Sequence, residues 1–576
     1  MINSLRFVTV TVGLIFVATA MAISSHWYFA LPLPPGIENF PLTGVALFKT
    51  AFLIEGALLL LLGIAGWNFH QIPPHERLQT DAYGSAPPGF ACLAAISAIT
   101  LLAAFLRIYG LSQSFWLDEV VTLGYSVASL SDQLTVFVGS NNHLLNTLLI
   151  KGSVSVFGEH EWSVRLPAVA FGIATVPALY WLTRRPLGDW PALAACLLLA
   201  VSYHHIFFSQ NARGYTAYIF FSVLATGFFL RALRQDRASH WLCYIAVMFL
   251  SFTALLNSAF VLLSHVAVGA LGLCLAARRG ANVWPSVRRL GFVFFTLGIL
   301  VFHLYAILIP QIYVVLTAVY TEAATGFFPF TMEFVQELVG GVSAGFAGGA
   351  LIAAVPFMLV AASGFISLFR KDYLLTLMLL FPGLFTGMYL VVKGLTVSPR
   401  FFLFELILAV ICAVCGVLVA ASWLAEKKRF AQLKPTVISS TAILLLAVIS
   451  LASLLNYYAT PKQGFREAVE YVEQIRSDSS RVIVLYTAQF GIAHYEDALA
   501  RDSEVNRYSY IRDIDTFKAA LADEQEQSTV VVTTFPRALA IDQPELSAEM
   551  SSHWRIVKTF PATIGDGEIY IWRRKS

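Results

Sequence analysis

Long apolar runs of about 20 residues recur along most of this chain, with short polar segments between them. A helix of that length spans the hydrocarbon core of a bilayer, where the backbone has to satisfy its own hydrogen bonds. The sequence therefore predicts a polytopic α-helical membrane protein with about 13 transmembrane helices. These helices are expected near residues 7–26, 43–66, 90–109, 164–182, 189–208, 213–231, 241–257, 259–276, 290–309, 347–368, 373–392, 401–424 and 436–456.

The charge composition agrees with a membrane location and excludes some functions. Charged residues are 13% of the 576 residues, which is about half the fraction of an ordinary soluble domain. The 38 Lys and Arg residues are balanced by 35 Asp and Glu residues without a dense basic patch, so we expect no nucleic-acid partner. The six cysteines lie in apolar runs and have no zinc-site spacing.

Lys and Arg residues collect in alternate loops, which predicts the orientation in the membrane. Basic residues are concentrated in loops such as those with Arg184-Arg185, Arg370-Lys371 and Lys427-Lys428-Arg429, and are sparse in the opposite set. This pattern places the N-terminus in the cytoplasm and the chain after residue 457 outside. The first apolar run resembles a signal peptide, but its length favours a retained helix.

Changes in composition divide the chain into three parts. Residues 1–89 are predicted to form a pair of transmembrane helices and a Pro-rich cytoplasmic linker, and residues 90–457 a transmembrane core. Residues 461–576 alternate helix and strand patterns, which is typical of a small α/β domain, here on the external face. Its role is either acceptor recognition or simple capping of that face.

An acidic pair lies in the external loop 110–163, within the stretch 115–119, Phe-Trp-Leu-Asp-Glu. A carboxylate can accept a proton from an attacking hydroxyl or hold a divalent cation. Asp118 and Glu119 are therefore candidate catalytic residues, and with His143 they are candidate ligands of a divalent metal. Because neighbouring residues on a helix project about 100° apart, one acid is expected to do the chemistry while the other positions a partner or metal.

Three arginines are predicted to lie at the same external face of the membrane as the acidic pair: Arg165, Arg213 and Arg400. A guanidinium matches phosphate oxygens bidentately and keeps its charge when partly desolvated. The alternative for each arginine alone is a side chain that reaches lipid headgroups without further function. Glu405, within a predicted span, is a further candidate.

A loop from about 310 to 346, without Lys or Arg and rich in Phe and Gly, is also expected outside. It is interpreted either as a cover over a lipid-linked substrate or as a helix resting on headgroups.

The order of the motifs resembles the dolichyl-phosphate-mannose-protein mannosyltransferase-like family of the glycosyltransferase C superfamily, which is related to lipid A aminoarabinose transferases. The motifs that carry this resemblance are Trp116-Leu117-Asp118-Glu119, Asn142-His143, Phe157-Gly158-Glu159, Arg165-Leu166-Pro167, the stretch 210–215 (Gln-Asn-Ala-Arg-Gly-Tyr) and Arg400-Phe401-Phe402. Leu144-Leu145 stands where many members have a proline pair.

The resemblance implies a glycosyltransferase C fold, a polyprenyl-phosphate sugar donor and inverting transfer to an acceptor hydroxyl outside the cytoplasm. It implies Asp118, with Glu119 beside it, as catalytic base or metal contact. The candidate substrate-binding residues are His143, Arg165, Arg213, Tyr215 and Arg400.

The expected protein is thus a glycosyltransferase integral to a membrane, with the bacterial inner membrane as the expected location and membrane lipids as neighbours. Its acceptor is an envelope lipid, a glycan or a protein. One alternative is a transporter or flippase of a lipid-linked sugar, and another is a non-catalytic scaffold for the tail domain. Charges clustered at one face favour the transferase, because transporters place ionisable residues near the midplane.

Overall fold

The computed structural model is described here for residues 2–23, 41–65, 71–73, 87–137, 139, 143–314, 350–394, 398–427, 433–476, 481–499, 508–522 and 529–575. Most of the linker 67–89, the pair Asn141-Asn142 and the Phe- and Gly-rich part of loop 310–346 lie outside these residues.

The membrane half consists of helices, as the apolar runs predict. Those up to the end of the polar loop are α1 (Ile2–Ala22), α2 (Pro41–Ala65), α3 (Phe90–Ile108), α4 (Leu117–Val127), α5 (Leu130–Thr135) and α6 (Leu144–Phe157). The next are α7 (Glu161–Leu187), α8 (Asp189–Ala200), α9 (Tyr203–Ser209), α10 (Tyr215–Gln235), α11 (Ala238–Ala254), α12 (Ser258–Arg278) and α13 (Trp284–Tyr305). The last are α14 (Ala350–Lys371), α15 (Tyr373–Lys393), a short 3₁₀ turn (Pro399–Phe402), α16 (Glu405–Ala425) and α17 (Pro435–Ala459).

Within the described residues, 9 helices are long and apolar enough to cross a membrane, or up to 10 if the bent pair α8 and α9 forms one span. The polytopic helical class is confirmed. The number of 13 crossings is not confirmed: at two of the predicted spans, the apolar helices in the described part of the chain, Arg6–Ala22 of α1 and Ala238–Ala254 (α11), have only 10–17 residues. The orientation stays a prediction.

The chain divides into two compact units. The first unit is Met1–Ile108, Ala128–Leu149 and Pro167–Leu451. The second unit is Tyr109–Val127, Ile150–Leu166 and Ala452–Ser576, so it combines the tail with two segments of the polar loop, including the acidic pair. The sequence-based division at residues 89 and 457–461 stays a prediction.

A buried arginine, Arg107, lies at the break between α8 and α9 in the first unit. The two helices meet at 59°, which leaves the last carbonyls of α8 without partners in their own helix. Arg107 of α3, fully buried, donates to the carbonyl oxygens of Ala200 (3.0 Å) and Leu199 (3.4 Å) and to Ser209 Oγ (3.2 Å). Broken helices are tolerated at membrane depth only where such groups are satisfied again, so Arg107 stabilises the break.

The tail of the second unit is an α/β domain, as predicted. Its elements are α18 (Phe465–Ile475), β1 (Val482–Leu485), α19 (Ala488–Leu499), β2 (Tyr508–Ile511), α20 (Ile514–Ala522), β3 (Val530–Thr534), α21 (Pro536–Asp542), α22 (Pro544–His553), β4 (Trp554–Phe560) and β5 (Ile569–Arg574).

The five strands form one sheet in the order β2-β1-β3-β5-β4, with β1 parallel to both β2 and β3 and an antiparallel closing hairpin of β4 and β5. Both β1 and β3 are fully buried, which explains their unbroken apolar sequences. Trp554, Phe517 and Leu546 lie in the core of this domain.

Candidate active site

The acidic pair lies at the start of α4. Leu117 is the first helical residue, so Asp118 and Glu119 occupy the second and third positions. Negative charge is favoured at this end of a helix, where backbone N–H groups have no helical partner. Glu119 reaches back to the N–H of Trp116, which donates to its Oε2 at 3.3 Å. This is the contact that a glutamate makes at the third helical position in a capping box.

The two acids have different environments. Glu119 is fully buried, whereas Asp118 is half-buried. The carboxylate of Glu119 accepts from Arg165 Nε at Oε1 (2.8 Å) and from Arg165 Nη2 at Oε2 (2.6 Å), which is a bidentate pair. Glu119 is therefore held in a buried ion pair with Arg165.

The Arg165 side chain is 2% exposed, and its guanidinium donates hydrogen bonds to several groups of the protein. Besides Glu119, it donates to the backbone carbonyl oxygens of Leu111 (2.7 Å), Gln113 (2.7 Å) and Ser114 (3.1 Å). Every nitrogen of its guanidinium therefore donates to the protein. The contacts tie α7 to the segment that leads into α4.

A second cation shares the Glu119 carboxylate. Lys462, near the start of the tail domain, is 3% exposed, and its Nζ lies 3.8 Å from Glu119 Oε1. Burial lowers the pKa of Lys462 to about 7, although the Glu119 carboxylate raises it; the nearby Arg165 guanidinium lowers it further. Near neutral pH the Lys462 side chain is therefore partly protonated and partly neutral, although it is buried beside Glu119 and Arg165.

Residues of the tail domain also contact the backbone of the stretch 115–119. The N–H of Phe115 donates to the Tyr495 hydroxyl (2.7 Å), and the N–H of Leu117 donates to Gln463 Oε1 (2.9 Å). The Tyr495 hydroxyl in turn donates to Glu161 Oε1 (2.9 Å), which is also paired with Arg466.

The first unit brings together three other predicted residues. His143 and Tyr215 have ring centroids 5.7 Å apart, and the Arg213 guanidinium lies 5.0 Å from the centroid of the Tyr215 ring. All three side chains are buried. Burial lowers the pKa of His143 to about 3, with a further contribution from the positive charge of Arg213, so the imidazole is neutral at physiological pH.

Gly214 allows this cluster to pack closely. A Cβ atom at this position would lie 2.4 Å from the carbonyl oxygen of Ala254 and 3.1 Å from His143 Cβ. Beside the cluster, Asn146 donates to the carbonyl oxygen of Ala212 (3.0 Å). Its buried Oδ1 accepts no hydrogen bond from the described residues.

The remaining candidates are also in the first unit. Arg400 is exposed, and its guanidinium lies 5.4 Å from the centroid of the Phe401 ring. Glu405 begins α16 and packs against Gly383 of α15; its buried Oε1 accepts no hydrogen bond from the described part of the chain. The structure thus groups Glu119 with Arg165 in one unit and His143 with Arg213 and Tyr215 in the other.

The expected metal site at Asp118, Glu119 and His143 does not fit the environment of Glu119. Both of its oxygens already accept from Arg165, and Lys462 adds a second positive charge. A divalent cation there would be repelled by the Arg165 guanidinium, and by Lys462 when that side chain is protonated. Among the described residues, no group of three or more His, Cys, Asp or Glu side chains could hold a metal ion.

Sequence reasoning did not identify Lys462, Gln463 or Tyr495. A lysine just after an apolar helix is common at a membrane boundary, and nothing in the local pattern shows that Lys462 is buried.

One family model and one curated relative match parts of this chain. The model of the family described as dolichyl-phosphate-mannose-protein mannosyltransferase matches residues 144–305. This segment includes Arg165, Arg213 and Tyr215, while the acidic pair precedes it. The putative mannosyltransferase YkcB of Bacillus subtilis strain 168 is 25% identical over 181 residues, which are 29% of this chain and 24% of that protein. The match therefore extends over only about a quarter of that relative's length.

Solved structures are similar over a larger part of the chain. ArnT from Cupriavidus metallidurans in the apo state has a TM-score of 0.47 at 12% identity, covering 84% of this chain and 98% of that chain. ArnT bound to undecaprenyl phosphate has a TM-score of 0.43 at 14% identity, with the same coverage. The archaeal oligosaccharyltransferase AglB from Archaeoglobus fulgidus, in complex with an inhibitory peptide and a dolichol-phosphate, has a TM-score of 0.44 at 13% identity, covering 84% of this chain and 74% of that chain.

Proposed function

We propose that this chain, which resembles the dolichyl-phosphate-mannose-protein mannosyltransferase family and matches its model over residues 144–305, is an inverting membrane glycosyltransferase. It moves a sugar from a polyprenyl-phosphate donor to an acceptor hydroxyl. The observation that carries the assignment of roles is the contrast within the acidic pair, where Glu119 is fully buried and ion-paired while Asp118 is half-buried.

Asp118 is the proposed general base. Its carboxylate accepts the proton of the acceptor hydroxyl as the hydroxyl oxygen attacks the anomeric carbon. The bond between that carbon and the phosphate oxygen breaks, and the electron pair leaves with the polyprenyl phosphate. The configuration at the anomeric carbon inverts, and Asp118 holds the transferred proton.

Glu119 and Arg165 are proposed to position the helix rather than to bind substrate. Since the Arg165 nitrogens all donate to the protein, a donor phosphate could bind there only after several buried hydrogen bonds broke. Leaving buried polar groups unsatisfied costs about 1–3 kcal/mol for each group.

Arg213 and Arg400 are proposed to bind the donor phosphate, with His143 and Tyr215 as neutral neighbours of Arg213. The stacking of Arg213 on Tyr215 supports this role because it restrains the guanidinium. With its lowered pKa, His143 can offer hydrogen bonds but no positive charge, so the arginines supply the charge.

The proposed location is the external leaflet of a bacterial inner membrane, with the N-terminus in the cytoplasm and the tail domain outside. The distribution of Lys and Arg among the loops supports this orientation. Phosphate-linked lipid sugars are suitable donors there, since nucleotide sugars are cytoplasmic.

The direct test is transfer by the purified protein from radiolabelled polyprenyl-phosphate mannose, the donor that the family description indicates, and then from polyprenyl-phosphate pentoses. The acceptor is a lipid and glycan extract of the cell envelope. We expect a labelled product with wild type and a loss of about 10²-fold to 10⁴-fold with Asp118→Asn. Full activity in Asp118→Asn would refute the base assignment.

Asp132→Asn is the matched control, because Asp132 is an acid of the same polar loop whose carboxylate accepts a hydrogen bond from Ser129 Oγ (2.7 Å). The transporter alternative has a separate readout: labelled lipid would change leaflet in vesicles without forming a covalent product.

A further inference from the structure

The helix that carries the acidic pair begins without a capping side chain of its own. The residue before its first turn is Trp116, whose indole cannot accept hydrogen bonds from the helix N–H groups. Glu119 satisfies the N–H of Trp116, but the amides on either side need other partners.

Those partners come from the tail domain. The hydroxyl of Tyr495 accepts from Phe115, and the side-chain oxygen of Gln463 accepts from Leu117. Three successive N–H groups at the head of α4 are therefore satisfied by one acid of the motif and two tail residues. A cap usually comes from the residues just before the helix, but here it comes from positions more than 340 residues away.

Gln463 is fixed on its other side as well. It is fully buried, and its Nε2 donates to Thr534 Oγ1 (3.2 Å), at the end of β3, and to the carbonyl oxygen of Gly567 (3.1 Å). Its amide therefore connects the sheet of the tail domain directly to the first turn of α4. Lys462, the preceding residue, adds a buried cation beside Glu119.

We propose that Lys462, Gln463 and Tyr495 are positioning residues that hold the acidic pair in its working geometry, so that the tail domain is part of the catalytic unit. The effect on turnover rests on the proposed transferase function, while the effect on the order of α4 does not. A shift of about 1 Å at a reacting group can reduce the rate about 100-fold, so loss of these contacts is expected to act on turnover.

The test uses the full-length protein with Gln463→Met, Lys462→Met and Tyr495→Phe. The first two variants keep the length of the side chain, and the third removes a single hydroxyl. Ser509→Ala is the control, because it removes a tail-domain hydrogen bond, Arg481 Nε to Ser509 Oγ (2.7 Å), that does not involve the acidic pair.

Two quantities are measured for each variant. The first is amide hydrogen exchange in peptides that cover residues 113–127, which does not depend on any substrate. The second is kcat and KM for sugar transfer. We expect exchange at Leu117 in Gln463→Met, and at Phe115 in Tyr495→Phe, to be about tenfold faster. We also expect kcat to fall about tenfold to 100-fold in Gln463→Met with KM within about twofold. Ser509→Ala should match wild type in both.

The outcomes separate this proposal from the proposed function. Unchanged exchange in 113–127 for both Gln463→Met and Tyr495→Phe would overturn the proposal. Faster exchange with unchanged kcat would also overturn it, because the contacts would then be purely structural. A third outcome is faster exchange in the variants while the wild-type protein transfers no sugar. The exchange result would then support the role of the tail residues in holding α4, and the missing transfer would refute the transferase function. If Gln463→Met fails to fold, Tyr495→Phe decides the matter by the same criteria.

Discussion

At the scale of single residues, the acidic pair divides into a buried member and a half-buried one. Glu119 is held by Arg165 and Lys462, and its burial makes the ion pair hard to replace. A buried carboxylate paired with a guanidinium serves as an anchor, because removing its charge leaves the buried guanidinium uncompensated.

Glu119→Gln is predicted to destabilise the protein by about 3–5 kcal/mol, the cost of breaking a buried ion pair by removing one partner. Asp118→Asn, at a half-buried position, should change the stability far less. Thermal unfolding of both variants in the same detergent provides the comparison. Equal losses of stability would contradict the assignment of Glu119 as the anchor.

The lowered pKa of Lys462 predicts that the stability of the folded protein depends on pH. Its pKa falls from the usual 10.5 to about 7 in the folded protein, where it faces Glu119 and Arg165. Between these values the unfolded chain binds this proton and the folded chain does not. The free energy of unfolding therefore rises with pH, by about 1.4 kcal/mol per unit from this group.

The measurement is the difference in thermal midpoint between wild type and Lys462→Met from pH 6 to pH 9. Below pH 7 the difference should be constant, and above pH 7 the wild type should gain stability relative to the variant. If the thermal midpoints of wild type and Lys462→Met change with pH in parallel from pH 6 to pH 9, Lys462 does not titrate in this range.

At the scale of elements, the turn between α9 and α10 places Arg213 and Tyr215 against His143 and the end of α11. Gly214 is the point of closest approach, since the carbonyl oxygen of Ala254 would lie 2.4 Å from any Cβ atom there. Backbone cannot move aside as a flexible side chain can, so the turn depends on glycine.

Gly214→Ala is predicted to destabilise the first unit by about 1–3 kcal/mol through overpacking. It should also raise KM for the lipid donor, because the neighbouring Arg213 would be displaced. Gly291→Ala is the matched control: a Cβ at Gly291, within α13, would meet nothing within 4 Å. Thermal unfolding and donor titrations of both variants test this, and an unaffected Gly214→Ala would argue against the tight turn.

At the scale of the whole molecule, the acidic pair shares a compact unit with the tail. The core of the tail should therefore control the local stability of α4, although the two are distant in sequence. Trp554, 1% exposed and with its ring centroid 5.8 Å from that of Phe517, is a central part of that core.

Trp554→Ala is predicted to destabilise the second unit by about 3–5 kcal/mol. Hydrogen exchange should then rise both in β1 and in α4, and much less in α10 of the first unit. Phe229→Ala, a fully buried site in α10, should give the reverse pattern. Increased exchange in β1 without any change in α4 would contradict the grouping of α4 with the tail.

The sequence by itself determined the class of the protein, the place of its acidic motif and the α/β character of its tail. These depend on local patterns: apolar runs as long as a bilayer, two adjacent acids in a polar loop, and buried strands such as β1 and β3 with unbroken apolar sequences. The short strand β2, only half-buried, has no such pattern and was not predicted. The bend near Val201 was not predicted either, because the apolar run continues through it.

Only the tertiary structure decided which acid is buried and what holds it. Asp118 and Glu119 are equivalent in a local pattern, and which of them faces the interior depends on the elements that pack against α4. Arg165 is 46 residues from Glu119, and Gln463 is 346 residues from Leu117. Burial and ion pairing are properties of such distant contacts, so no window of sequence contains them.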